Sequence, residues 1–428
     1  MVRTIAVWLL ALAVTAAESR GQQPLTIQDV YTQLRNANPQ LHAARALAEA
    51  TALRESSARL PADPNVRFGV MNLSLPGLAA DMPNSMAPAV QLMQMVPFPG
   101  KLGLAGQIAQ KSTVATQFKA EETWWELRAQ AAMAFYDLYS VDRQLAVMKE
   151  TLALLQDFQG VAKAMYAAGQ GRQSDVLRAN VETAKMQADI LRMQTMRKVS
   201  AARLNGLLNR PADTPLPAVE LGIMAAAPPA RDTLRAWAEA ARPMLAGART
   251  LVEQTALQRS LARKELWPDF TLGLEYGQRP AEMGTERMGS VMLGFSVPIF
   301  ASRRQLRMRA EGAAMETMAR AELADMRARV DAKIAELIAS IERCSGLIEL
   351  YRTDILPQAD ANVKSAFSAY RVGSVDFMTL LDAQMTVNQY RQELHALVAE
   401  HGGHLAELEM TVGRELPVAV ALRVEVQS

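Results

Sequence analysis

Of the 428 residues, 50% are apolar, 21% charged and only 5% aromatic, and 46 basic side chains stand against 44 acidic ones. A chain this apolar buries a core instead of staying disordered, and so balanced a charge excludes an electrostatic nucleic-acid binder. One cysteine, Cys344, and four histidines exclude a disulfide framework and a Cys/His zinc cluster of the usual spacing. The phosphate-loop, dinucleotide, esterase and metalloprotease signatures are absent, so neither an enzyme nor a cofactor site is expected.

The N-terminus opens with Met1-Val2-Arg3, an apolar run from Ile5 to Ala17, and a polar stretch from Glu18 to Gln23. A short basic start, an apolar stretch too short to span a bilayer and small residues at Ala16 and Ala17 predict a secretory signal peptide over residues 1–23. Nowhere else does a charge-free apolar stretch reach the roughly 18 residues of a transmembrane helix.

Beyond it the chain repeats itself. Pro39 to Val70 aligns without gaps on Pro243 to Leu274, each pair offset by 204 positions, and the offset returns at Tyr166/Tyr370, Gly169/Gly373, Leu177/Leu381 and Arg210/Arg414. Val96-Pro97 matches Val297-Pro298 with a slip of three. Chance similarity between two alanine-rich helical stretches does not hold one offset across separated motifs. The expected organisation is repeat 1 over 24–210, a proline- and alanine-rich linker over 211–230, repeat 2 over 231–414 and a tail over 415–428.

Each repeat has the same internal order. A helical opening, about 26–60 and 231–266, leads to two short alternating segments, then a very long helix, a glycine-marked turn and a returning helix. Alternation is clearest in repeat 2: Phe270, Leu272, Leu274 and Tyr276 interleave with Thr271, Gly273, Glu275 and Gly277, and Val291, Leu293, Phe295 and Val297 with Met292, Gly294 and Ser296. In repeat 1, Val66, Phe68 and Val70 alternate with Arg67, Gly69 and Met71, while the partner strand, Ala89 to Val96, is less regular. The hairpins span about 64–97 and 268–299, with loops at 76–88 and 278–287. Gly100 to Pro211 encloses no proline, and the 65 residues from Lys101 to Met165 would form a helix about 100 Å long. Leu138, Val141, Leu145, Met148, Leu152 and Leu155, and likewise Leu337, Ile341, Cys344, Ile348, Tyr351 and Ile355, fall at spacings of 3 and 4, a coiled-coil seam.

The four strands of one chain have the length and the one-sided apolarity of membrane-crossing strands, but four strands cannot close a barrel. An open edge in hydrocarbon leaves backbone groups unpaired, so several chains must share one barrel: eight strands from a dimer, with a bore largely filled by side chains, or twelve from a trimer.

The duplicated unit, the strand exits Val96-Pro97-Phe98-Pro99-Gly100-Lys101 and Val297-Pro298-Ile299-Phe300, the Tyr-x-x-Gly turns at 166 and 370, and Leu380-Leu381-Asp382-Ala383-Gln384 resemble the TolC family of outer-membrane efflux channels. The resemblance covers about 26–414. It implies a mixed, mainly α fold with membrane β: a homotrimer whose twelve-stranded β-barrel continues into a periplasmic α-helical barrel. It also implies partners, a periplasmic adaptor and an inner-membrane pump of the RND type, with this chain a passive outer-membrane conduit for heavy-metal ions or small toxic compounds. The Pro-Phe-Pro-Gly-Lys version at 97–101 is most similar to members attached to heavy-metal pumps. Carried over by motif, Asp382 and Asp175 would face a periplasmic constriction, Tyr370 and Tyr166 would hold it shut, and the turns at Gly169 and Gly373 would touch the adaptor. Val375 and Thr379 depart from the family's basic and second acidic gate positions. On its own chemistry, either aspartate also reads as a cap or first-turn charge of a returning helix, and either glycine as the positive-φ residue of a tight turn.

Methionine and histidine side chains also offer metal ligands. The 24 methionines, clustered at Met71, Met82, Met86, Met93 and Met95, offer soft ligands for Cu(I) or Ag(I), but methionine also fills gaps in alanine-rich packing. His401 and His404, in His401-Gly402-Gly403-His404, are weak metal candidates, and two glycines there favour a solvated polar kink. A periplasmic coiled-coil structural or metal-binding protein without a pore would explain the helices but not the paired strands.

Overall fold

The computed structural model describes residues 24–71, 76, 86–281, 284–418 and 421–422. The expected signal peptide lies outside them, as do Met82, most of the loop expected at 76–88 and most of the C-terminal tail. In chain order the elements are α1 (Ile27–Ala37), α2 (Pro39–Ser57), β1 (Asn65–Met71), β2 (Met86–Val96), α3 (Lys101–Ala167), α4 (Gln173–Leu207), α5 (Arg231–Ala241), α6 (Pro243–Lys264), β3 (Phe270–Ala281), β4 (Gly284–Phe295), α7 (Gln305–Leu350), a π-turn (Tyr351–Ile355), α8 (Leu356–Arg371) and α9 (Phe377–Val412). The fold is mainly helical with one antiparallel sheet, ordered β1-β2-β3-β4. No described helix is long and apolar enough to cross a membrane.

Local chemistry sets the helix boundaries. Thr26 and Asp29 form a reciprocal capping box at the start of α1, each side chain taking the other's backbone N–H at 3.1 and 3.3 Å. Both helical openings break in the same way. Asn38 and Arg242 sit in extended backbone with ψ of 120° and 119°, because the following Pro39 and Pro243 exclude helical ψ at the preceding residue. Asn38 then recaps the chain, its Oδ1 accepting from Leu41 N at 3.1 Å and its Nδ2 donating to Leu207 O at 2.9 Å.

With no proline to interrupt it, α3 runs unbroken for 67 residues. Its seam is buried at Leu138, Val141, Leu145, Met148 and Leu155. The matching seam of repeat 2 is buried through Leu337, Ile341, Cys344 and Ile348, but then departs from the expected spacing. The π-turn widens the helix just ahead of Pro357, which has no N–H to continue the ladder. Tyr351 and Ile355 are consequently only half-buried, and Leu356 takes the buried position.

The chain forms two compact units that cut across the sequence repeats: residues 1–42, 123–242 and 330–428, and residues 43–122 and 243–329. The first holds the helical core, with Leu34, Leu138, Leu204 and Val398 in one cluster and Met148, Met186, Phe377 and Leu380 in another. The segment expected as a linker is part of this core. Leu216, Val219 and Met224 are buried in it, Val219 bridges Leu25, and Asn205 Nδ2 holds Thr214 O at 2.8 Å.

The second unit carries the sheet. Its second hairpin is longer than expected: β3 and β4 pair through the residues expected as a loop, as far as Ala281 and Gly284. Gln278 opposes Arg287, and Arg279 opposes Glu286 in an ion pair of 2.6 Å. Opposite charges facing each other across an antiparallel ladder support strand pairing in a polar stretch.

Candidate functional site

The register of the sheet assembles one mainly apolar face, interrupted on β2 by Gln94. Val66, Leu92, Leu274 and Val291 lie in one row across the four strands, Phe68, Val90 and Tyr276 in the next, and Val96, Phe270 and Phe295 in another. The face is uncovered: Val291 and Leu293 are each 75% exposed and Phe68 is 78% exposed. The opposite face carries Arg67, Gln91, Thr271, Glu275 and Ser290 among glycines and methionines. There a Cβ on Gly277 would stand 2.7 Å from Met86 Sδ, and one on Gly273 would stand 3.2 Å from Met292 Cε. Glycine on one strand therefore makes room for methionine on its neighbour. The outer edges of the sheet, on β1 and β4, carry no further strand among the described residues.

One buried cation ties the exit of β2 to the entry of β3. Lys101, at the first position of α3, is 5% exposed and donates to Asp269 Oδ1 at 2.8 Å, Trp267 O at 3.2 Å and Glu265 Oε2 at 3.3 Å. Asp269 also accepts from Phe98 N at 2.8 Å, and the Phe98 ring stacks on Trp267. Sequence alone pointed to Lys101 as part of a motif but not to this junction, because its acceptors come from the other repeat.

The two Tyr-x-x-Gly turns share one backbone solution. Gly169 and Gly373 have φ of +72° and +74°, and each donates its N–H to the carbonyl of the tyrosine, Tyr166 or Tyr370, at 3.0 Å. The tyrosine side chains differ. Tyr166 is 48% exposed, whereas Tyr370 is 3% exposed, packs edge-on against Phe377 and leaves its hydroxyl without a partner. Burial pushes the Tyr370 hydroxyl pKa up, and the charge of Asp175 adds to the rise.

The aspartates also differ. Asp175 lies in the first turn of α4, as the capping alternative expected. Asp382 does not fit that alternative. The cap of α9 is Asp376, whose carboxylate accepts from Thr379 N at 2.9 Å and Thr379 Oγ1 at 2.7 Å. Those hydrogen bonds hold the Asp376 pKa below its usual range. Asp382 lies a further turn along α9, exposed, on a polar groove shared with Gln144, Thr386, Gln389 and Glu393. The turns meet through other pairs: Asp175 faces Tyr370, and Arg178 Nη1 lies 2.8 Å from Met378 Sδ. Residue spacing does not mark Asp376 or Arg178, because a cap and a cross-turn contact are set by chain geometry.

The expectation of a solvated kink at 401–404 is overturned. α9 runs straight through both glycines, and a Cβ on Gly402 would stand 2.6 Å from the Tyr136 ring, so close ring packing explains the glycine. His401 is 0% exposed, with Nε2 2.7 Å from Ala225 O. His404 points instead to Glu400 Oε1 at 3.3 Å, so the two histidines do not form a pair.

Residues 234–412, nearly all of repeat 2, match the family model for outer membrane efflux protein. Among solved structures, CusC in a study of folding and transmembrane channel formation is similar with a TM-score of 0.79 and 14% identity, over 91% of this chain and 92% of that one. The outer membrane protein VceC of Vibrio cholerae gives 0.76 and 17%, over 91% and 96%. The open state of the Neisseria gonorrhoeae MtrE outer membrane channel gives 0.73 and 17%, over 94% and 91%. No curated protein sequence matches the chain.

Proposed function

We propose that three copies of this chain form the outer-membrane channel of a tripartite efflux system, a passive conduit from the periplasm or an inner-membrane pump to the exterior. The observation that carries this reading is the sheet: four strands, one apolar uncovered face and, among the described residues, two open edges. In hydrocarbon both edges must be paired, and three chains of four strands close a barrel wide enough for a passage, whereas two leave a bore filled by side chains. A pore-less periplasmic protein would expose this face to water at a cost of about 25 cal/mol for each Å².

In this arrangement the helices form the periplasmic portion, and the signal peptide directs export. Asp382 and Asp175 become rings of three carboxylates at the periplasmic constriction, with Tyr370 and Tyr166 on the turns that hold it closed. The turns at Gly169 and Gly373 touch the adaptor, which links the channel to an RND-type pump. The cargo is heavy-metal ions or small toxic compounds.

The test is a deletion strain and its complemented parent, compared for growth across Cu, Ag, Zn, Co, Cd and a panel of hydrophobic drugs, with the protein located by fractionation. Heat-resistant oligomers in the outer-membrane fraction and sensitivity to at least one panel support the proposal. Sensitivity confined to metals assigns a heavy-metal system, and sensitivity to drugs assigns a general duct. A soluble monomer, or no change in growth, overturns it.

A further inference from the structure

One cluster of metal-ligating side chains lies apart from the gate and the sheet. Cys344 on α7 and Glu400 and His404 on α9 bring one ligand atom each to within 4.8 Å of one another. The spacing of four places Glu400 and His404 on one face of α9, with Glu400 Oε1 and His404 Nε2 3.3 Å apart. Cys344 is the chain's only cysteine and faces them from the seam of α7. We propose that Cys344, Glu400 and His404 form a binding site for a borderline divalent cation of the zinc class, with water as the fourth ligand.

The chemistry of the donor set selects this class. A thiolate and an imidazole disfavour calcium and magnesium, which take oxygen ligands, and suit zinc or cadmium. Thiolate and carboxylate together carry two negative charges, which a divalent ion neutralises. Metal–ligand distances of about 2.0–2.3 Å place tetrahedral ligands roughly 3.4 Å apart. The Glu400–His404 pair already has that separation, so only the sulfur must approach.

A positive group already occupies the cluster. Arg343 Nη2 lies 2.5 Å from Glu400 Oε1 and 3.5 Å from Cys344 Sγ. Its side chain is half-exposed, so the guanidinium can swing into water as a cation enters. His401, buried against Ala225 O, takes no part.

With only one cysteine per chain, any thiolate–metal signal reports this position alone. The experiment is a titration of the purified full-length protein in detergent with Cd²⁺, following the ultraviolet sulfur-to-cadmium charge-transfer band. The expected band saturates at one Cd²⁺ per chain, is displaced by Zn²⁺ and is absent in Cys344→Ser. Glu400→Gln and His404→Gln keep the thiol and are expected to weaken binding at least about tenfold. No band at one equivalent overturns the proposal. A band of unchanged affinity in both Glu400→Gln and His404→Gln also overturns it, since the thiol would then be acting alone. Binding is read on the isolated protein, so failure here leaves the channel reading untouched.

Discussion

Gly373 and Gly413 share a φ of +74°, yet alanine is expected to affect them very differently. At Gly373 no heavy atom lies within 4 Å of where a Cβ would stand. Gly373→Ala therefore costs only left-handed strain, about 1–2 kcal/mol. At Gly413 the Cβ would stand 2.7 Å from Arg242 Cα, 2.8 Å from Ala241 O and 2.9 Å from Arg242 N. These are backbone atoms at the α5–α6 break, fixed by Pro243, and none can swivel aside. An overpacking cost of about 1–3 kcal/mol then adds to the strain, for about 2–5 kcal/mol in all. Thermal unfolding followed by circular dichroism in detergent should place Gly413→Ala clearly below Gly373→Ala. Asparagine tolerates the left-handed region, so Gly373→Asn should recover most of the loss and Gly413→Asn should not. Equal losses at the two sites, or recovery at 413, would refute the argument that close backbone approach, not φ, makes Gly413 indispensable.

The Lys101→Met variant strands Asp269 and Glu265 at the strand exits and should cost about 2–4 kcal/mol, seen as a lower unfolding temperature; an unchanged temperature would mean the network contributes nothing. His395 is held neutral by burial, with Arg143 and Arg391 adding repulsion, so its pKa falls from 6.5 to about 4. The unfolded chain binds the proton first, so stability should fall as pH drops from 6.5 towards 4. His395→Gln should flatten that slope, and buried His401, shifted in the same direction, should retain part of it. In planar bilayers, Asp382→Ala should weaken block of the single-channel current by divalent cations, and unchanged block and conductance would remove Asp382 from the constriction.

Much of this protein is legible in its sequence because the deciding physics is local or periodic. Alternation at 270–276 and 291–295 marks strands, since a pleated chain turns successive side chains to opposite faces. The absence of proline from 101 to 210 permits α3, and Pro39 and Pro243 end the helices before them because a following proline excludes helical ψ. The glycines at 169 and 373 have the positive φ that their turns require. The family resemblance rests on the same motifs, read in order.

Tertiary structure decided the rest, because it depends on which distant segments meet. Tyr166 and Tyr370 occupy equivalent places in the sequence, yet only Tyr370 has Phe377 to pack against. Asp382, a candidate cap by its position, is not one, because Asp376 caps α9. The Gly402-Gly403 pair, a helix breaker by propensity, lies within α9, and at Gly402 the Tyr136 ring occupies the space a Cβ would need. Cys344, a packed seam residue by spacing, faces Glu400 and His404 only because α7 and α9 lie side by side. Propensity and periodicity act within a few residues, whereas a site is made by the side chains that packing brings together.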